Sequence, residues 1–284
     1  MTSAAPAAPA AAAPAVRAVQ LRPRAALALT VVSALGLVAF CWPLLVEPGT
    51  GLDGTTSAPW LFVLILPLLL AVVLAEIADG GMDVKAVAVL GVLAAVGAAL
   101  RPLGGGAAGI EPVFFLLVLG GRALGRGFGF VLGSVTLFAS ALLTAGVGPW
   151  LPFQMLAAGW VGFAAGCLPS ARGKAEVALL SAYGAVAGLA YGVLMNLQLW
   201  PFATGLDTGL SYVAGDPVSG NLGRFVAFTL TTSLGFDIPR ALTTALLVAV
   251  AARPVLLALR RATRKAAFGA AVEFGAAEPE HDRV

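Results

Sequence analysis

The chain has 284 residues, 60% of them hydrophobic and 11% charged, and carries a formal net charge of +3. Its mean hydropathy is +0.96. A soluble domain holds roughly a quarter charged residues, so this composition excludes one and places the chain in a bilayer, with no nucleic-acid partner.

Residues 1–24 form an Ala/Pro-rich lead expected to be disordered and cytoplasmic, and its first 15 residues hold no core-forming side chains. Eight apolar spans follow, at about 27–46, 60–78, 84–101, 112–124, 127–146, 151–168, 175–200 and 222–252. Most have the roughly 20 residues that cross about 30 Å of hydrocarbon as a helix. A helix is required because lipid-exposed backbone must satisfy its own hydrogen bonds. The expected fold class is therefore an all-α polytopic membrane protein. Two helices (residues 25–80) precede a six-helix core (84–265), and a polar cytoplasmic tail (266–284) closes the chain. A cleaved signal peptide is the rival reading of residues 17–46, but that apolar run is too long for a typical h-region and the next span follows closely. The span 112–124 is short and crosses only if the preceding loop, Gly104–Glu111, dips into the protein.

The stretch Pro112–Pro169 fixes orientation. Its first turn carries Arg122 and Arg126, whereas its second, GVGPW at 146–150, carries no charge. With a cytoplasmic amino terminus, Arg17, Arg22, Arg24, Lys85, Arg122, Arg126, Arg172, Lys174, Arg253, Arg260, Arg261, Arg264 and Lys265 all fall inside. The outer side then receives Glu47, Asp53, Glu111, Asp207 and Asp216, with Arg101 and Arg224. Basic residues accumulate in cytoplasmic loops, so both termini are expected in the cytoplasm of a multi-pass cell-membrane protein. On that topology Cys41 and Cys167 lie near opposite faces and cannot form a disulfide, and both read as packing residues.

The chemistry of catalysis is sparse. The only histidine, His281, lies in the polar tail, no Cys/His cluster has metal-ligand spacing, and no phosphate-binding loop ending in Gly-Lys-Ser/Thr occurs. Neither a cofactor nor an enzymatic activity is expected, and the chain does not hydrolyse ATP by itself. Gly125–Gly129 (GRGFG) superficially resembles a phosphate loop but reads as a tight helical hairpin.

Polar groups do occur in and beside the spans. Arg101, Glu111, Gln154, Asn196 and Arg224 map to the outer half, where they read either as an outward-facing pocket or as helix-end caps. Asp237 and Arg240 stand three residues apart on one face, deep in the last span, with Pro239 between them. They read either as a structural ion pair or as groups that contact a polar solute. Trp42, Trp60, Trp150, Phe153, Trp200, Phe202 and Tyr212 gather at the outer boundary. An interfacial belt explains them. Alternatively Trp150, Phe153, Trp200 and Phe202 frame the mouth of a ligand site, with Pro201–Gly220 as its lid. Small residues recur every fourth position: Gly184, Gly188 and Gly192 in one stripe, Gly129/Gly133 and Gly162/Gly166 in pairs, and Ala94/Ala98 with Ala95/Ala99 on the third span. Such faces let helices approach closely in lipid.

Five segments carry a resemblance: Ala86–Leu100 ending in Arg101-Pro102 with the loop GGGAAGIEP (104–112), GGRALGRGFGFVLG (120–133), GPWLPFQMLAAGWVGFAAG (148–166), YGVLMNLQLWPF (191–202), and TSLGFDIPRALT (232–243) before a basic tail. In order and spacing they resemble the substrate-binding (S) components of energy-coupling factor transporters, particularly actinobacterial members of the cobalamin-type group, over about residues 84–265. The resemblance implies a six-helix core that captures a vitamin or related micronutrient outside the cell, cobalamin being the preferred cargo. It implies as partners a coupling transmembrane subunit and two cytoplasmic ATP-binding subunits. The coupling contact would fall on Ala94 and Ala98, with Ala95 and Ala99 as the neighbouring option, and the loop Gly104–Glu111 would close over substrate. The two leading spans depart from the family pattern. A self-sufficient secondary transporter or channel is the alternative, disfavoured by the lack of internal duplication, and an intramembrane enzyme has only Asp237 and Arg240 to rest on.

Overall fold

The computed structural model describes residues 21–45, 58–79, 82, 84–104, 109–203 and 209–266, with the side chains of 58–64, 76–78 and 264–266 outside the description. Arg17, Glu47, Asp53, Asp207, His281, residues 1–20, residues 267–284 and the side chain of Trp60 thus lie beyond it. Among the described residues the chain is all helical: α1 (Pro23–Leu45), α2 (Ala58–Ala78), α3 (Val84–Leu103), α4 (Val113–Leu124), α5 (Arg126–Leu143), α6 (Leu151–Cys167), α7 (Gly173–Leu199), α8 (Val218–Phe228) and α9 (Leu234–Ala266). A 3-10 turn, Trp200–Phe202, finishes α7, and a π-helical turn, Thr229–Ser233, joins α8 to α9. Five stretches are long and apolar enough to cross a membrane, and three shorter apolar ones accompany them. Several long apolar helices of this kind are compatible with a multi-pass membrane protein.

The short helix α4 is the central post. Val113, Phe114, Leu117, Val118, Leu119 and Leu124 are all buried on it, and α3, α5, α6, α7 and α9 surround it. Helices α1 and α2 pack on each other and against α5 and α6. Phe40 of α1 meets Phe153 edge-on at 5.0 Å, and the Trp160 indole donates to Ser33 Oγ at 2.9 Å.

Glycine sets the closest approaches. A methyl group at Gly129 of α5 would stand 2.2 Å from the Gly162 carbonyl oxygen of α6, so only paired glycines let these backbones touch. On α7, Gly184 faces Thr244 and Gly188 faces Ala241 of α9. The four-residue glycine stripe is thus consumed in internal packing.

Two ionic layers bracket the α7–α9 pair. At one end Glu176 of α7 is buried and accepts hydrogen bonds from Arg122 Nε at 2.7 Å and from Arg260 at 2.7 and 3.1 Å. Arg122 also donates to the carbonyls of Leu168 and Pro169, clamping the α6–α7 connection. At the other end lie Asn196 of α7 and Arg240 of α9. Each is twenty residues along its helix from Glu176 and Arg260 respectively, or about 30 Å at the α-helical rise. That is the thickness of a hydrocarbon core.

The final helical stretch runs from Val218 to Ala266, longer at both ends than the 222–252 span expected. Pro254 does not stop it, lying inside α9. Arg240, with Asp237 one turn before it, reaches Glu111 just ahead of α4. Cys41 and Cys167 are free, but Cys167 is exposed at the end of α6 and is not a packing residue.

Candidate functional site

The site is built where the turn before α4 meets α7 and α9. Gly109 has φ +74°, a left-handed conformation suited to glycine. An added methyl there would stand 1.9 Å from the carbonyl oxygen of Phe236, so the turn lies directly on the α9 backbone. This contact delivers Glu111, two residues on, to Arg240. Residues 105–108 lie outside the described part, but both flanks, Gly104 and Gly109, are buried in the bundle.

Arg240 is the hub. Its Nε donates to Glu111 Oε2 at 3.1 Å and its Nη1 to Asp237 Oδ1 at 2.5 Å. Its guanidinium carbon lies 5.5 Å from the centre of the Tyr191 ring, within the range of a cation–π contact. Gly192 makes room for the pair, because a methyl there would meet the Asp237 carboxylate at 1.9 Å.

Beside this cluster lies a cavity of about 320 Å³ whose wall includes Glu111, Asn196, Asp237 and Arg240. Thr232 and Ser233 of the π turn join them, and Met195, Leu199, Phe228 and Phe236 supply the apolar part. Two polar atoms here are buried without a hydrogen-bond partner, Asp237 Oδ2 and Asn196 Nδ2. The Asn196 amide stands close enough to act on the Asp237 carboxylate, but no hydrogen bond of good geometry joins these two atoms. Leaving such atoms unmade costs roughly 1–3 kcal/mol each, and native proteins tolerate that mainly where function needs it.

The expected site residues divide into two groups. Glu111, Asn196, Asp237 and Arg240 come together at the cavity. Arg101 and Gln154 pair with each other, Nη2 to Oε1 at 2.9 Å, without lining it. Arg224 instead pairs with Asp216 at 2.5 Å and donates to Asn221 Oδ1. The aromatic residues do not form a mouth to this cavity. Trp150 is 45% exposed and donates to the Gly146 carbonyl, and Phe153 is covered by Phe40 of α1. Trp200 is fully buried, packs on Tyr212 and Phe225, and donates to the Leu210 carbonyl at 2.6 Å, so it anchors the described end of the following loop. Ala94 and Ala98 are buried, whereas Ala95 and Ala99 are exposed.

Sequence reasoning missed Tyr191 and the hydroxyl-bearing π turn as parts of the site, and took Gly109 only as one residue of the loop Gly104–Glu111. The run Thr229–Ser233 (TLTTS), four hydroxyls in an apolar span, was the available signal, since Ser and Thr offer a helix alternative hydrogen bonds. Thr231 and Thr232 do bond back to the carbonyls of Ala227 and Phe228. Among the described residues no cluster of His, Cys, Asp and Glu fits a metal ion. Comparison with protein-family models, with curated proteins and with solved structures finds no match to this chain.

Proposed function

We propose that the chain is the substrate-binding membrane subunit of an importer of the energy-coupling factor type. In this reading it captures a small vitamin-like solute at the outer face and depends on a separate coupling transmembrane subunit and two ATP-binding subunits for energy. The cavity of about 320 Å³ beside Arg240, walled by Glu111, Asn196 and Asp237, carries the reading. Ionisable groups within a membrane bundle are rare and mark solute sites. Their position at one end of an apolar layer about 30 Å deep suits capture from one side.

Three further features support it. Glu111 reaches the site from the loop that the resemblance assigns to closure over substrate. The Arg122–Glu176–Arg260 layer carries the basic excess expected of the cytoplasmic end. Helices α1 and α2 pack on α5 and α6, which leaves the outer face of α3 to a partner. Gly91, Ala95 and Ala99 are exposed there at four-residue spacing, so the coupling contact is assigned to Ala95 and Ala99. The cavity lies near the lower end of the roughly 300–1,000 Å³ typical of small-molecule sites. A corrin macrocycle exceeds it, so the volume favours a smaller solute than cobalamin.

Reconstitution tests the reading. The purified chain alone in vesicles should bind solute without accumulating it, and accumulation should require the coupling subunit with its ATPases. Ala99→Leu should lower uptake at least about tenfold and leave solute binding unchanged. Accumulation by the lone chain on a proton or sodium gradient would establish the secondary-transporter alternative instead.

A further inference from the structure

The charges at the cavity do not balance. Among its wall residues Glu111 and Asp237 are acidic and Arg240 is the one base. That guanidinium is already shared between both carboxylates, through Nε and Nη1. Arg101 lies within electrostatic range of Tyr191 but outside the cavity wall, held by Gln154. Asp237 is 3% exposed, and its second oxygen is buried with no hydrogen bond. A buried carboxylate oxygen accepts hydrogen bonds and cannot donate one while ionised. The neighbouring Asn196 Nδ2 is a donor within reach of the same carboxylate, with no bond of good geometry closed. With both acids ionised, the wall thus offers one acceptor bearing surplus negative charge, one adjacent donor, and apolar surface from Met195, Phe228 and Phe236.

We infer that the solute is a small organic cation that presents an N–H donor to Asp237 beside an apolar or aromatic body. Protonated amines and amidinium-like groups on a flat ring meet this description. Carboxylates do not, since they would add a third negative group around a single shared guanidinium. An N–H donor on the solute satisfies Asp237 Oδ2 through a charge-assisted hydrogen bond. An acceptor on the same solute suits Asn196, and the ring lies against the apolar wall. The inference rests on the cavity being the solute's site and adds its charge class.

Three near-isosteric probes separate the possibilities: benzamidine as the amidinium cation, benzamide as the neutral form and benzoate as the anion. Their binding is measured on the full-length purified chain in nanodiscs by calorimetry and thermal shift. The wild type should bind benzamidine about tenfold tighter than benzamide, with benzoate weakest, the size of effect expected for one charge-assisted hydrogen bond. Asp237→Asn should remove most of that preference. Glu111→Gln, at a residue less buried than Asp237, should reduce it in the same direction and serves where Asp237→Asn does not fold. Equal affinity for all three, tighter binding of benzoate, no binding of any, or an unaltered preference in both variants overturns the inference. Uptake that proves independent of ATP would remove the importer reading and leave the probe ranking standing. A reversed ranking with ATP-dependent uptake would do the opposite.

Discussion

Gly109→Ala isolates the contact on which the site depends. At φ +74° an alanine carries left-handed strain of about 1–2 kcal/mol. Its methyl would also stand 1.9 Å from the Phe236 carbonyl oxygen and 2.6 Å from the Phe236 Cα. Both are backbone atoms, so no rotamer change relieves the clash and the turn must lift off α9. Forced overpacking of this kind costs about 1–3 kcal/mol, giving a total of about 2–5 kcal/mol. The accompanying loss of the Glu111–Arg240 pair adds little, because the Glu111 side chain is 20% exposed and partly screened. Gly173→Ala provides the control, since Gly173 has φ +62° with nothing within 4 Å of an added methyl. It should cost only the strain, about 1–2 kcal/mol. Unfolding of both variants in mixed micelles, followed by circular dichroism, measures the difference, and calorimetry with benzamidine reads the site. Gly109→Ala should be the less stable by about 1–3 kcal/mol and should bind more weakly. If it proves no less stable than Gly173→Ala, the seating of this turn on α9 is refuted.

Two other expectations concern the scaffold. Glu176→Gln should destabilise the fold by about 3 kcal/mol, because it strips the counter-charge from Arg122, whose side chain is 10% exposed, while Arg260 at 41% exposure recovers water. A double-mutant cycle with Arg122→Met checks this, and a coupling energy under about 0.5 kcal/mol contradicts it. Trp200→Phe removes the hydrogen bond to the Leu210 carbonyl, worth about 1 kcal/mol. Faster hydrogen exchange across residues 209–213, with nearly unchanged global unfolding, is the expected result, and unaltered exchange there contradicts the anchoring role of Trp200.

Helix positions were legible because apolar run length is dictated by the bilayer, and most spans begin and end within a few residues of their expected bounds. The last helix was not, because its apolar run gives way to charge at Arg253, whereas the helix continues through Pro254 within α9. The glycine stripe of α7 was correctly open to internal packing, since small residues announce close approach and not its partner. The pairing of Glu111 with Arg240 spans 129 residues, and no local period encodes it. Aromatic residues misled for a physical reason. An interfacial belt and a buried cluster call on the same side chains, so Trp200 and Phe153 looked alike before their surroundings were known.

The widened turn at Thr229–Ser233 sets an angular register for everything on its amino-terminal side. A residue inserted into a helix advances it by about 100° and about 1.5 Å, and a π turn is how a continuous rod accommodates such an excess. Winding the same residues as ordinary α-helix would swing Phe225 and Arg224 by about a quarter-turn about the axis relative to Asp237. The amino-terminal rod would keep its composition yet present the wrong azimuth to Trp200, and the loop anchored there would have nothing to dock against.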